Sequence, residues 1–362
     1  GDQAGESNVQ GNGVVAIGYR ALHTSTDASY QIAIGFEAME NTSNDSTGNV
    51  MIGYRSGHNQ TSGDHNTVVG HAAMYTLTGA SYNTAMGYNA LYSITDAGHY
   101  NVGVGYEAGK TMTTADQCTF VGAYAGGGAA VTGDLNTAVG RRACFSLTSG
   151  ASNTAIGGNA MDATTTADNN TAVGVNALTS NTTGGNNTAV GFSALDNCST
   201  GDNNVAIGYQ ALKSVSTNDG NIAIGYRAAD SMNTARGIFI GYDCLQGVTG
   251  IHGRGIYMGY KLASSANTQV DDEGVFAIGE HTATGKGNGT LFISVSDYAG
   301  NNGNVYQKNN SADWATTSDR RLKKDIVDNN SGLDVLKQIQ VRNFKYRSED
   351  EIEDSSIKNQ AI

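Results

Sequence analysis

The side chains of this sequence that could do chemistry are spaced in ways that exclude more than they offer. Cys118, Cys144, Cys198 and Cys244 stand singly, far apart and without a CxxC pair. That pattern fits neither a zinc site nor a disulfide framework, and three of the four replace residues at fixed positions of a repeat, so they read as small buried apolar groups. The seven histidines are scattered through turns, and no Asp/Glu pair recurs as the acid and base of a glycan depolymerase would require. Turn segments such as TSGDHN (61–66), VTGDLN (131–136) and STGDNN (199–204) carry acidic and amide oxygens that calcium could use. Their spacing matches neither an EF-hand nor a nonapeptide array, so the sequence predicts no metal and no cofactor. The densest run of ionisable groups is S-D-R-R-L-K-K-D-I at 318–326.

The elements behind these residues repeat. An aliphatic residue followed by glycine, in the form N-T-A-I/V-G, returns at Gly18, Gly35, Gly53, Gly70, Gly87, Gly105, Gly122 and Gly140, then at Gly157, Gly174, Gly191, Gly208, Gly225, Gly241, Gly259 and Gly279. The steps are 16 to 20 residues and most often 17, which predicts an all-β solenoid, a parallel β-roll of stacked coils. With the glycine as position zero, position minus one is Ile, Val or Met throughout and minus three is Thr, Val or Ile in fifteen units. This alternation predicts a strand whose minus-one and minus-three side chains point inward. Position minus two is Ala in ten units, so the opposite face would be nearly bare and covered by another backbone, such as that of a neighbouring subunit.

Four other columns stand out. Position plus one is Tyr or Phe in ten units, which predicts an aromatic ladder at a corner or interface, with a sugar platform as the alternative. Ala at plus three and Leu or Met at plus four suggest a second short strand in each coil. Asn at minus four, in ten units from Asn49 to Asn221, could bond up and down a ladder or satisfy turn backbone. Sixteen coils at about 4.8 Å make a rod on the order of 75 Å long. So thin a coil has little interior, and lateral association into a homotrimer would bury more surface.

Composition narrows the function classes. The chain of 362 residues has 49 Gly, no Pro and a net charge of -12; residues 318–362 are balanced in charge, so the whole acidic excess lies before them. An acidic rod argues against nucleic acid, which needs clustered Lys and Arg. No apolar stretch is long enough to predict membrane insertion as a helix. The first residues already sit inside a repeat, so the natural N-terminus is expected further upstream. Domains are expected at 1–285 (solenoid), 286–317 (a β-rich transition around Phe292 and Val305) and 318–362, a small α+β segment in which Leu333, Val335, Leu336 and Ile339 have helical spacing up to about Arg342 and Asn343.

N-T-A-V-G repeats followed by A-L resemble the head repeats of YadA-type trimeric adhesins and related phage tail fibres over roughly residues 11–285. The resemblance implies left-handed parallel β-rolls assembled as trimers, with ligand contacts on the outer surface. The segment Ser318-Asp319-Arg320-Arg321-Leu322-Lys323-Lys324-Asp325-Ile326, with Phe344, Lys345 and Tyr346 later, resembles the start of the intramolecular chaperone of endosialidase-type tailspikes and fibres. That family drives trimerisation and then cuts itself off at its serine. The resemblance implies Ser318 as nucleophile, Lys323 as its base and a scissile bond between Thr317 and Ser318. A lysine whose pKa is lowered by partial burial can serve a serine in this way.

The leading expectation is thus a segment of a trimeric phage tail fibre or spike, a virion component that is no enzyme beyond one turnover of self-cleavage. Its partners would be two further copies of itself, a host cell-surface glycan or protein receptor, and other tail or baseplate proteins. The alternative is a bacterial cell-surface trimeric adhesin or filament. An ice-binding solenoid is disfavoured, because Thr at minus three gives way to Val or Ile in many coils and should point inward. The irregular units at 122–128 and 241–279 are where a ligand would be sought.

Overall fold

The computed structural model describes residues 1–42, 46–232, 236–246 and 255–261, and the backbone of strands at 276–278, 291–296, 302–307 and 314–316. Each repeat contributes one three-residue strand, from β1 (Val15–Ile17) and β2 (Ile32–Ile34) through β8 (Thr137–Val139), β9 (Thr154–Ile156), β10 (Thr171–Val173) and β11 (Thr188–Val190) to β15 (Ile256–Met258) and β16 (Phe276–Ile278). Consecutive strands pair in parallel and in exact repeat register, as Thr137↔Thr154 and Thr154↔Thr171. The expected all-β parallel solenoid is therefore the fold. β17 (Leu291–Ser296) continues the parallel stack and pairs antiparallel with β18 (Asn302–Gln307). Contacts along the backbone divide the chain between Ala315 and Thr316. The helix expected from the spacing of Leu333, Leu336 and Ile339 lies outside the described residues.

The strand orientation is the reverse of that expected from side-chain size. Ala33, Ala138, Ala172, Ala189 and Ala206, all at minus two, are fully buried, whereas minus three and minus one are partly exposed. The reason is the narrow lumen. Opposite each strand the plus-three Ala and plus-four Leu or Met fill the interior, as Ala177 with Leu178 and Ala211 with Leu212, all at zero exposure. Only a methyl group fits across from them, so the larger aliphatics must face outward. At Phe120 and Met51 a larger minus-two residue goes with a glycine across from it. Phe120 is flanked by Gly109 and Gly126, at each of which a Cβ would come within 2.9 Å of its ring. Such volume exchange keeps the core at native density.

The plus-three and plus-four residues do not form the second strand that their apolar character suggests. Positions plus two and plus four adopt left-handed backbone, as at Asn176 (φ 56°) and Leu178 (φ 54°). For ordinary residues this conformation costs roughly 1–2 kcal/mol. It is offset by burial and by amides that alternate in direction: Asn176 N–H donates to the carbonyl of Gly158 in the preceding coil and Leu178 N–H to that of Ala194 in the next. The glycine at zero is required on two counts. Gly140 has φ 137°, and a Cβ on it would strike the carbonyl of Gly157. The close backbone approach expected on this side is real, but it comes from the next coil of the same chain rather than from another subunit.

The asparagine column works as expected. Asn170 donates from its backbone and side chain to Asn153 Oδ1 (3.0 and 3.2 Å) and from Nδ2 to the Gly184 carbonyl (2.9 Å), and its own Oδ1 accepts from Asn187 N–H (2.9 Å). These side chains are buried, so each coil that carries the asparagine places one amide where it satisfies backbone groups of its neighbours. Cys118 interrupts the column; it keeps the backbone bond to Asn101 Oδ1 (2.8 Å), and its thiol replaces the amide with a weaker contact to the Gly133 carbonyl (3.5 Å).

Candidate functional site

The strand face presents three parallel columns to solvent. Minus three and minus one carry Thr, Val, Ile and Met in half-exposed positions, with Ile156 and Ile207 about 40% exposed at 41% and 39%. Beside them runs the plus-one column, where Tyr19, Phe36, Tyr54, His71, Tyr88 and Tyr106 stack at centroid separations of 4.8 to 5.4 Å. A second stack joins Phe192, Tyr209, Tyr226, Tyr242 and Tyr260. Ala123, Arg141, Gly158 and Val175 separate the two. Neighbouring rings within each stack lie nearly parallel, so their faces cover one another and only edges and hydroxyls remain free. A sugar needs an uncovered ring face, which favours the structural reading of this ladder over the sugar platform.

The orientation of minus three removes one argument made from sequence. Thr137, Thr154, Thr171 and Thr188 face outward, not inward. The threonine array nevertheless ends at Val205 and Ile222, where the column turns aliphatic.

The flank built by the left-handed turns is where charge collects. Each Arg or Lys ion pair among the described residues draws both partners from the plus-two and plus-five columns: Arg20 with Glu40 (2.6 Å), Arg55 with Glu37 (2.7 Å), Lys110 with Glu107 (3.1 Å), Arg142 with Asp162 (3.0 Å) and Arg227 with Asp230 (2.8 Å). Here Glu37, Glu40 and His58 converge. Sequence reasoning missed this cluster because the three are separate along the chain. The signal was in the column count: Glu40 and His58 both occupy plus five, in adjacent coils. The turn acids at minus six have another task. Asp168 Oδ1 accepts the Ala151 N–H (2.7 Å) and Asp219 Oδ1 the Asp202 N–H (2.8 Å), so their carboxylates cap backbone of the preceding coil.

All four cysteines are buried and unpaired, as expected. Burial pushes the Cys144 and Cys244 thiols up to about 12 and those of Cys118 and Cys198 to about 11, which makes them poor nucleophiles and poor metal ligands in the folded chain. The irregular unit at 122–128 accommodates Phe145 and Phe120 rather than a cavity: Gly126 lies against Phe120 and Gly128 against Phe145. Much of the 241–279 unit, with Ser318 and Lys323, lies outside the described residues.

Residues 318–359 match the family model described as the chaperone of endosialidase. The match covers the segment that carries the S-D-R-R-L-K-K-D-I run. No curated protein matches the chain.

Proposed function

We propose that this chain is the shaft of a trimeric phage tail fibre or tailspike that attaches the virion to its host, and that its C-terminal segment is a self-cleaving chaperone of trimer assembly. The observation that carries the reading is the conjunction of a parallel β-solenoid with a match to the chaperone of endosialidase at 318–359. Within that segment Ser318 is the nucleophile and Lys323 its base. The cut falls between Thr317 and Ser318, at the edge of the matched residues, leaving residues 286–317 as a transition on the shaft.

The outward strand face supports the trimer. Fifteen strands, β1 to β15, at about 4.8 Å, each roughly 10 Å wide, give a largely apolar strip on the order of 700 Å² per copy. A standard interface buries about 800 Å² per partner, and exposed apolar patches beyond a few hundred Å² mark association surfaces. A partner that follows so long a strip must repeat with the same spacing, and copies of this chain do. The charged turn flank would then face solvent, where a host glycan or protein receptor and other tail proteins could meet it.

Mass measurement of the full-length gene product under native and denaturing conditions, beside Ser318→Ala, tests the reading. A trimer of chains ending at Thr317, with the variant uncut, is expected. An uncut wild-type monomer would refute both the chaperone and the trimer.

A further inference from the structure

His58 is held in an orientation that aims one ring nitrogen at two carboxylates. Its Nδ1 lies 2.8 Å from Asn59 Oδ1, an oxygen that also accepts from Asn41 Nδ2 at 3.2 Å. An oxygen cannot donate, so Nδ1 is the donor in that contact, and the ring is held with Nε2 turned to the other side. Nε2 faces two carboxylates, Glu40 Oε2 at 2.9 Å and Glu37 Oε2 at 3.6 Å. Three such electron-rich atoms side by side repel one another unless a proton or a metal ion lies among them.

We propose that Glu37, Glu40 and His58 form a binding site for one divalent transition-metal ion of the zinc class. Their ligand atoms all lie within 4.8 Å of one another. Ligands at 2.0–2.2 Å around a tetrahedral ion sit about 3.3 to 3.6 Å apart, so small side-chain shifts close the site. The imidazole and two carboxylates suit zinc, cobalt or nickel better than calcium, which takes six or more oxygens. Asn59 supplies the fixed outer partner that metal-bound histidines have, holding the tautomer from the other ring nitrogen. The ring also stacks on Tyr75 at 4.9 Å, which fixes its plane.

The neighbouring guanidiniums compete but do not block. Arg20 engages Glu40 through Oε1 (2.6 Å) and leaves Oε2 for the ion. Arg55 holds Glu37 Oε2 (2.7 Å), the atom the ion needs, and its side chain is 37% exposed, so it can swing into solvent. Arg55 is therefore the built-in competitor, and its removal should tighten the site. A bundle of ion pairs with no metal role would behave in the opposite way, since losing Arg55 would only loosen it.

Titration of the full chain with zinc chloride, followed by calorimetry, and with cobalt chloride, followed by visible absorption, tests this. One ion per chain is expected. Binding should be lost in His58→Ala and Glu40→Gln, weakened on the order of 10-fold in Asn59→Ala, and tightened in Arg55→Gln. Absence of zinc binding by the wild type, or binding that survives His58→Ala, would overturn the proposal. Should His58→Ala fail to fold, Arg55→Gln decides: unchanged or weaker zinc affinity in that variant would also overturn it. The outcome does not depend on whether the chain is a tail fibre.

Discussion

The strand face and the turn flank of one coil are a few residues apart in sequence and opposite in chemistry. On the strand face, outward positions such as Thr171 and Val173 are uncharged, and the ladder at plus one is aromatic. On the turn flank the outward positions are Arg142 and Asp162, Arg227 and Asp230, or the Glu37, Glu40 and His58 cluster. The interior between them is apolar, in most coils Ala from the strand and Leu or Met from the turn. The difference shows that the outward residues, free of any packing duty in the lumen, divide by flank: uncharged and aromatic on one, charged on the other.

The largest effect should come from charge on the strand face. Val173→Lys with Val190→Lys places two ammonium groups, and in a trimer six, along the proposed seam. A desolvated unpaired charge costs several kcal/mol, so sedimentation should report monomers, while circular dichroism reports an intact solenoid, since both side chains point away from the core. If the trimer persists, the strand face is not the seam and the comparison loses its meaning.

A paired substitution sharpens inside against outside. Ala172→Leu adds three carbons to a full lumen and should cost about 1–3 kcal/mol, whereas Val173→Leu, the next residue, faces outward and should change chemical stability by within about 0.5 kcal/mol in the monomer. Urea denaturation of both variants on the monomeric background checks it. Equal costs would mean that the orientation of the strand is wrong.

This orientation is the point at which the sequence stopped being informative. The period, the glycine at zero, the asparagine ladder through Asn153, Asn170 and Asn187 and the buried state of Cys144 all follow from residue types at fixed spacing, because each depends on contacts between identical positions of adjacent coils. Which strand face is inside depends on the width of the lumen. That width is set by Leu178 and its equivalents across the coil, in left-handed backbone that their apolar character disguised as strand. The ion cluster was hidden for a related reason: Glu40 and His58 are 18 residues apart in sequence and meet only when plus-five columns are stacked.

The buried thiols test whether the interior is as dry as the two flanks require. With thiols pushed up to about 11 or 12 by burial, the thiolate fraction at pH 8 is below about one part in a hundred, so the native chain should resist maleimide for hours and label at four sites per chain in denaturant. The sign follows from burial disfavouring the charged form. Rapid labelling of the native chain would show that the lumen opens.

The smallest effect is expected on the turn flank. Arg142 Nη2 contacts both oxygens of Asp162 (3.1 and 3.0 Å), and its guanidinium lies 4.0 Å from the centroid of the Phe145 ring. About a third of the Arg142 side chain is exposed at 34%, and of Asp162 22%. Water and salt therefore screen the pair, and a double-mutant cycle of Arg142→Met with Asp162→Asn should give a coupling of about 0.2–1 kcal/mol. The coupling should fall as ionic strength rises from 0.01 to 1 M and the screening length shrinks from about 30 Å to about 3 Å. The Phe145 contact adds packing that this cycle retains in part through the methionine, so the coupling reports the charges. A salt-independent value well above 2 kcal/mol would place the pair in a desolvated setting. In that case the turn flank, and not the strand face, would be the side of the coil that the assembly covers.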